Sequence, residues 1–127
     1  MKEIVIAFDI DGTLLNNEGI PPETPAHMRP KCGVNIDAVL LLQLLSKQKN
    51  VRIIVWSGGG KEYAEKVCRE YGFEKYVDRA YGKPVGTHGL SQINGAYDYD
   101  TDGPVDIAFD DIHACLLADK NIIVKMK

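Results

Sequence analysis

Paired cysteines, an excess of basic charge, long apolar runs and internal repeats are all missing from this chain. Its three cysteines (Cys32, Cys68 and Cys115) are odd in number and widely scattered, with no Cys-x-x-Cys pair. That speaks against a disulfide framework and a structural zinc site, leaving isolated thiols in a reducing cytoplasm as the plain reading. Cys68 and Cys115 stand in apolar patterns and are expected in the core. Fifteen Lys and Arg against eighteen Asp and Glu give a net charge of −3. A generic nucleic-acid or membrane-surface binder would show a basic excess instead. No apolar run approaches the length of a membrane span, and Ile4–Phe8 is too short for a signal-peptide core and is stopped by Asp9. His27, His88 and His113 lack metal-ligand spacing; only His113 lies near the acidic pair Asp110-Asp111.

What is present is an ordinary globular composition. The chain has 127 residues, 45% of them hydrophobic, enough for one core without covalent staples. The expectation is a single soluble cytoplasmic domain over residues 1–127. Apolar runs rich in β-branched residues recur at Ile4–Phe8, Val51–Trp56, Val105–Phe109 and Ile122–Val124, with a weaker candidate at Tyr76–Tyr81. The first three are near-continuous rather than alternating, the pattern of strands covered on both faces. Between them, Asn35 can cap a helix running to about Lys49, whose apolar residues cover more than one stripe and predict deep packing. Lys61–Tyr71 repeats Ala64, Val67, Cys68 and Tyr71 at helical spacing, and Gly72 supplies a stop. Strand, helix, strand, helix, strand in this order predicts an α/β fold, a Rossmann-like parallel sheet with flanking helices. Asn16–Gly33 holds most of the prolines and reads as a loop or short flap. Pro84–Pro104 is glycine-rich and reads as irregular, with a hairpin around Ala96–Asp100.

Chemistry concentrates at the ends of these strands. Asp9 and Asp11 are two apart, so on extended backbone both carboxylates leave the same face. They do so at the carboxyl end of a buried strand, where open α/β sheets bind ligands. Two adjacent carboxylates usually hold a cation or share a proton. The bland alternative, an Asp-Gly turn, accounts for Asp11 and Gly12 but not for Asp9. Ser57, followed by Gly58, Gly59 and Gly60, ends the second strand with a hydroxyl and backbone N–H groups suited to a phosphate oxygen. Alone, that stretch is as well read as a flexible connection. Lys83 follows the weak strand candidate, and Asp110 and Asp111 end another apolar strand; each is unremarkable alone. Together they assemble a cation site beside a phosphate site, the parts needed for phosphoryl transfer.

In this order the motifs resemble those of the haloacid dehalogenase-like (HAD) hydrolase superfamily. Asp9-Ile10-Asp11-Gly12-Thr13 is similar to its first motif, Ser57 to the second, Lys83 to the third and Asp110-Asp111 to the fourth. The resemblance implies a HAD-like core in which Asp9 is the nucleophile that forms an aspartyl-phosphate and Asp11 is the general acid/base. It assigns phosphate binding to Thr13, Ser57, Gly58 and Lys83. It assigns a Mg²⁺ cofactor to Asp9, Asp11 (through its backbone carbonyl), Asp110 and Asp111. Dehalogenating members lack the second aspartate of the first motif and ion-pumping members carry Thr there, so Asp11 points to a phosphatase or phosphotransferase. The intervals Thr13–Asn35 and Ser57–Lys83 are too short for the family's usual cap domain, leaving residues 16–33 as at most a flap. Capless members act on large phosphorylated substrates, or on small ones shielded by another subunit of a homo-oligomer.

Three other readings compete. Asp98, Asp100, Asp102 and Gly103 match the start of an EF-hand loop, but Phe109 stands where the bidentate Glu belongs. A phospho-accepting receiver domain uses similar residues with the acidic pair first, the opposite of the order here. A catalytically silent binding module of the same fold would normally have lost a chemical residue, and none is missing.

Overall fold

The computed structural model describes residues 2–16, 33–84, 94–111 and 118–124. Its centre is a five-stranded, all-parallel sheet of β1 (Ile4–Asp9), β2 (Val51–Ser57), β3 (Arg79–Gly82), β4 (Val105–Asp110) and β5 (Ala118–Ile123), in the order β3-β2-β1-β4-β5. The expected Rossmann-like α/β architecture is what forms. Two strands differ from the sequence reading. Tyr76–Tyr81 becomes a short 3₁₀ turn (Glu74–Tyr76) followed by β3, which begins only at Arg79. The last strand starts at Ala118, earlier than Ile122, because it pairs with β4 from Val105 onward; its polar residues Asp119 and Lys120 are exposed on an edge strand.

Alternation along each strand sends side chains to two separate cores. Ile6, Phe8, Ile53 and Val55 pack with Ala38 and Leu42 of helix α1 (Ile36–Ser46) and with Ala64, Val67 and Cys68 of helix α2 (Lys61–Tyr71). Phe8 stacks on Phe109 across β1 and β4, with ring centroids 4.7 Å apart. Val5, Ala7, Ile54 and Trp56 face the other way, against Tyr81, Tyr97 and Ala108. Buried Cys68 thus takes the core place expected of it; Cys32 and Cys115 lie outside the described residues, as do all three histidines.

Helix α2 follows its pattern closely and ends where Gly72 takes φ 73°, a left-handed conformation that costs glycine little. Helix α1 does not. It stops at Ser46 rather than near Lys49, and Asn35 holds the N-cap position without a side-chain capping bond. Only Ala38 and Leu42 are buried, while Ile36, Leu40 and Leu44 are 66%, 50% and 59% exposed. The expected deep packing is corrected: one side of the helix meets the sheet, so only one stripe of its apolar residues is covered.

The stretch before β4 also departs from expectation. Instead of a hairpin around Ala96–Asp100, Ala96 forms a parallel bridge to Gly82, and Tyr99–Asp102 is a single helical turn, α3. Asp98 caps that turn, accepting from the Asp100 N–H at 2.9 Å, and Asp102 accepts from the Asp98 N–H at 3.0 Å. The acidic run is therefore engaged in local turn geometry, as short polar side chains commonly are. At the other end, Leu15 pairs with Val34 and the Asn16 N–H donates to the Gly33 carbonyl at 2.8 Å. The expected flap departs from and returns to this pair; residues 17–32 themselves lie outside the described residues. No helix among the described residues is long and apolar enough to cross a membrane.

Candidate active site

Strand register, rather than proximity in sequence, assembles the site. Asp9 is the last residue of β1 and lies level with Trp56, so Ser57 stands one step beyond it on β2. Phe8 lies level with Phe109, which sets Asp110 beside Asp9. Ser57 pairs with Gly82, and the next residue, Lys83, donates its backbone N–H to the Ser57 carbonyl at 2.9 Å. Because the strands are parallel, all these residues reach the same carboxyl edge of the sheet.

Among the described residues, five polar or charged side chains are buried there: Asp9, Thr13, Ser57, Lys83 and Asp110. Unpaired, such groups would be costly; here they answer one another. Lys83 Nζ donates to Asp110 Oδ2 at 2.8 Å and stands 3.3 Å from Asp9 Oδ1. Thr13 Oγ1 lies 3.4 Å from Asp9 Oδ2, at the long limit of a hydrogen bond. The Ser57 hydroxyl oxygen accepts from the Gly59 N–H at 3.0 Å, while Gly58 is exposed at the strand end.

Asp9, Asp110 and Asp111 each bring one carboxylate oxygen to within 4.8 Å of the others, a set that could hold a metal ion. Crowding three carboxylates is unfavourable without a cation, and the protonation equilibria record it. Burial above all, then the neighbouring carboxylates, push Asp9 well above the ordinary value of 3.8, against the pull of Lys83. Burial likewise raises Asp111. Lys83 is raised despite its burial, because Asp9 and Asp110 favour the ammonium. The hard oxygen donors suit Mg²⁺ or another oxophilic cation, without selecting among them.

Gly12 explains how Asp111 enters the group. The chain reverses just after β1, with the Thr13, Leu14 and Leu15 N–H groups all directed to the Ile10 carbonyl. Gly12 takes φ 76° in that turn, and a Cβ there would overlap Asp111 Oδ2. The glycine therefore serves both the turn and the close approach of a carboxylate.

Of the residues singled out from sequence, Asp9, Thr13, Ser57, Lys83, Asp110 and Asp111 come together. The Asp11 carboxylate does not join the acidic triad. It turns toward α2, where Tyr63 donates its hydroxyl to Asp11 Oδ1 at 2.5 Å. Tyr63 is the residue that sequence reasoning missed. Its signal was its place on the buried face of α2 beside Ala64 and Val67, in the first turn after the glycines, but a tyrosine there reads as core. Compared with known proteins, the chain matches no family model and no curated protein sequence, so the HAD resemblance stands on these motif residues alone.

Proposed function

We propose that this protein is a Mg²⁺-dependent phosphatase that hydrolyses phosphomonoesters through an aspartyl-phosphate on Asp9. The observation that carries this reading is the buried convergence of Asp9, Asp110 and Asp111 with Lys83 at the carboxyl edge of a parallel sheet. Asp9, Asp110 and Asp111 would hold the ion, and the Asp11 carbonyl would join them by family resemblance. When bound, Mg²⁺ would supply positive charge opposite the phosphoryl oxygens and favour the ionised form of Asp9.

The remaining chemistry belongs to the chain's own residues. A carboxylate oxygen of Asp9 attacks phosphorus; the bond to the leaving oxygen breaks, and that oxygen keeps the electron pair and takes a proton from Asp11. Asp11, now a base, accepts a proton from water as the water oxygen attacks phosphorus. The bond between Asp9 and phosphorus then breaks, releasing phosphate and restoring the Asp9 carboxylate. Lys83, Thr13, Ser57 and the Gly58 backbone offer donors to the phosphoryl oxygens, where charge accumulates. The substrate class is phosphomonoesters, with extended substrates favoured by the absence of room for a cap.

A panel of phosphorylated sugars, nucleotides and phosphorylated oligonucleotides tests the reading directly. Phosphate release should vanish with EDTA and return with Mg²⁺. Undiminished release in EDTA, or none from any substrate with Mg²⁺, would overturn it.

A further inference from the structure

We propose that Tyr63 is a positioning residue for Asp11, holding the acid/base carboxyl in the orientation that both proton transfers need. The inference rests on the phosphatase reading above and goes beyond it, since nothing in the four motifs assigns a role to α2. Tyr63 is 6% exposed, and its hydroxyl donates to Asp11 Oδ1 across a gap between two elements, a turn after β1 and the first turn of α2.

Two features set this contact apart from a tyrosine that merely finds a partner for its hydroxyl. First, the ring reaches Asp11 by crossing Gly59. A Cβ at Gly59 would lie 3.0 Å from Tyr63 Cδ2, tighter than ordinary side-chain contacts. Gly59 thus clears a path for the ring, a second task beside presenting its backbone N–H group. Second, Asp11 is only half-buried, and a short carboxylate on a turn rotates readily about Cβ–Cγ unless something fixes it. A hydroxyl bound to Oδ1 fixes that rotation and turns Oδ2 in one direction. The same carboxyl must protonate the leaving oxygen and later deprotonate water, so one orientation serves both steps. Misplacing a reacting group by an ångström can cost about 10²-fold, which sets the scale of what Tyr63 contributes.

Tyr63→Phe keeps the ring and removes only the hydroxyl. Two substrates separate orientation from structure. β-Glycerophosphate has a poor leaving group and needs the acid in the first step; p-nitrophenyl phosphate scarcely needs it. With Mg²⁺, Tyr63→Phe should lower the single-turnover rate of the first step on β-glycerophosphate by about tenfold to a hundredfold. The p-nitrophenol burst should keep its rate, while steady turnover after the burst slows because water still needs its base. The ratio of the two first-step rates is independent of how much of a preparation is folded. Gly59→Ala, whose Cβ would press on the ring from 3.0 Å while the hydroxyl is retained, should shift the leaving-group signature in the same direction. Should Tyr63→Phe fail to fold, Gly59→Ala alone decides. Equal losses in the first-step rates on both substrates, or no loss in either, would overturn the positioning role while leaving the phosphatase reading intact. A wild-type protein with no Mg²⁺-dependent turnover would overturn both, and is told apart by that alone.

Discussion

At the scale of single residues, Lys83 decides whether the acidic cluster can exist without a cation. Its ammonium lies within reach of both Asp9 and Asp110 in a buried setting, so removing it leaves carboxylates that repel. Lys83→Met should destabilise the metal-free protein by about 3–5 kcal/mol, the usual cost of breaking a buried ion pair from one side. Mg²⁺ should then raise the melting temperature more in the variant than in the wild type, since no ammonium competes for the carboxylates. An equal rise in both would show that Lys83 and the cation do not share ligands. Gly12 makes a different prediction. Alanine would have to adopt φ near 76° and overlap the Asp111 carboxylate. The backbone cost is about 1–2 kcal/mol, and Asp111 must move, so Gly12→Ala should lose Mg²⁺ affinity, by calorimetric titration, well beyond its loss of stability.

Among the elements, α1 and α2 show what a sequence discloses and what it conceals. The period of α2 and its glycine stop were both legible, because one face is apolar and the other charged. In α1 the leucines surround the helix, so periodicity could not say which of them meets the sheet. Packing decides that: Leu42 is wholly buried and Leu44 is 59% exposed. Leu42→Ala should therefore cost about 2–5 kcal/mol, whereas Leu44→Gln should change unfolding free energy by less than about 0.5 kcal/mol; denaturant melts compare them. The strand ends were legible for a related reason. Near-continuous apolar runs identified buried parallel strands, and the polar residues just beyond them became the site. Tyr63 was not legible, because the hydrogen bond that gives it meaning joins residues that only the fold brings together. Nor was the turn of α3, whose cap by Asp98 is a local alternative to the expected hairpin.

For the whole molecule, the β3-β2-β1-β4-β5 order is what turns scattered motifs into one site. It stands β1 between β2 and β4, so Asp9 has Ser57 on one side and Asp110 on the other. The same crowding makes stability depend on pH and metal together. Asp9 and Asp111 titrate above 3.8 in the folded protein, so below 3.8 their protonated forms cost little. As pH rises through the raised folded values, the unfolded chain binds fewer protons than the folded one, and this part of the stability is lost. Mg²⁺ requires the ionised carboxylates, so its stabilising effect should grow with pH over that same window. Melting temperatures with Mg²⁺ and with EDTA, compared across pH, check this; a gap that shrinks as pH rises would contradict it. The most direct measurement is of the covalent intermediate itself. With p-nitrophenyl phosphate and Mg²⁺, the Asp11→Asn variant should accumulate phosphate on Asp9, found by mass spectrometry of the acid-quenched protein, and Asp9→Asn should neither carry phosphate nor turn over. Mg²⁺-dependent turnover that survives Asp9→Asn, or phosphate trapped on another residue, would contradict the assignment of Asp9 as the nucleophile.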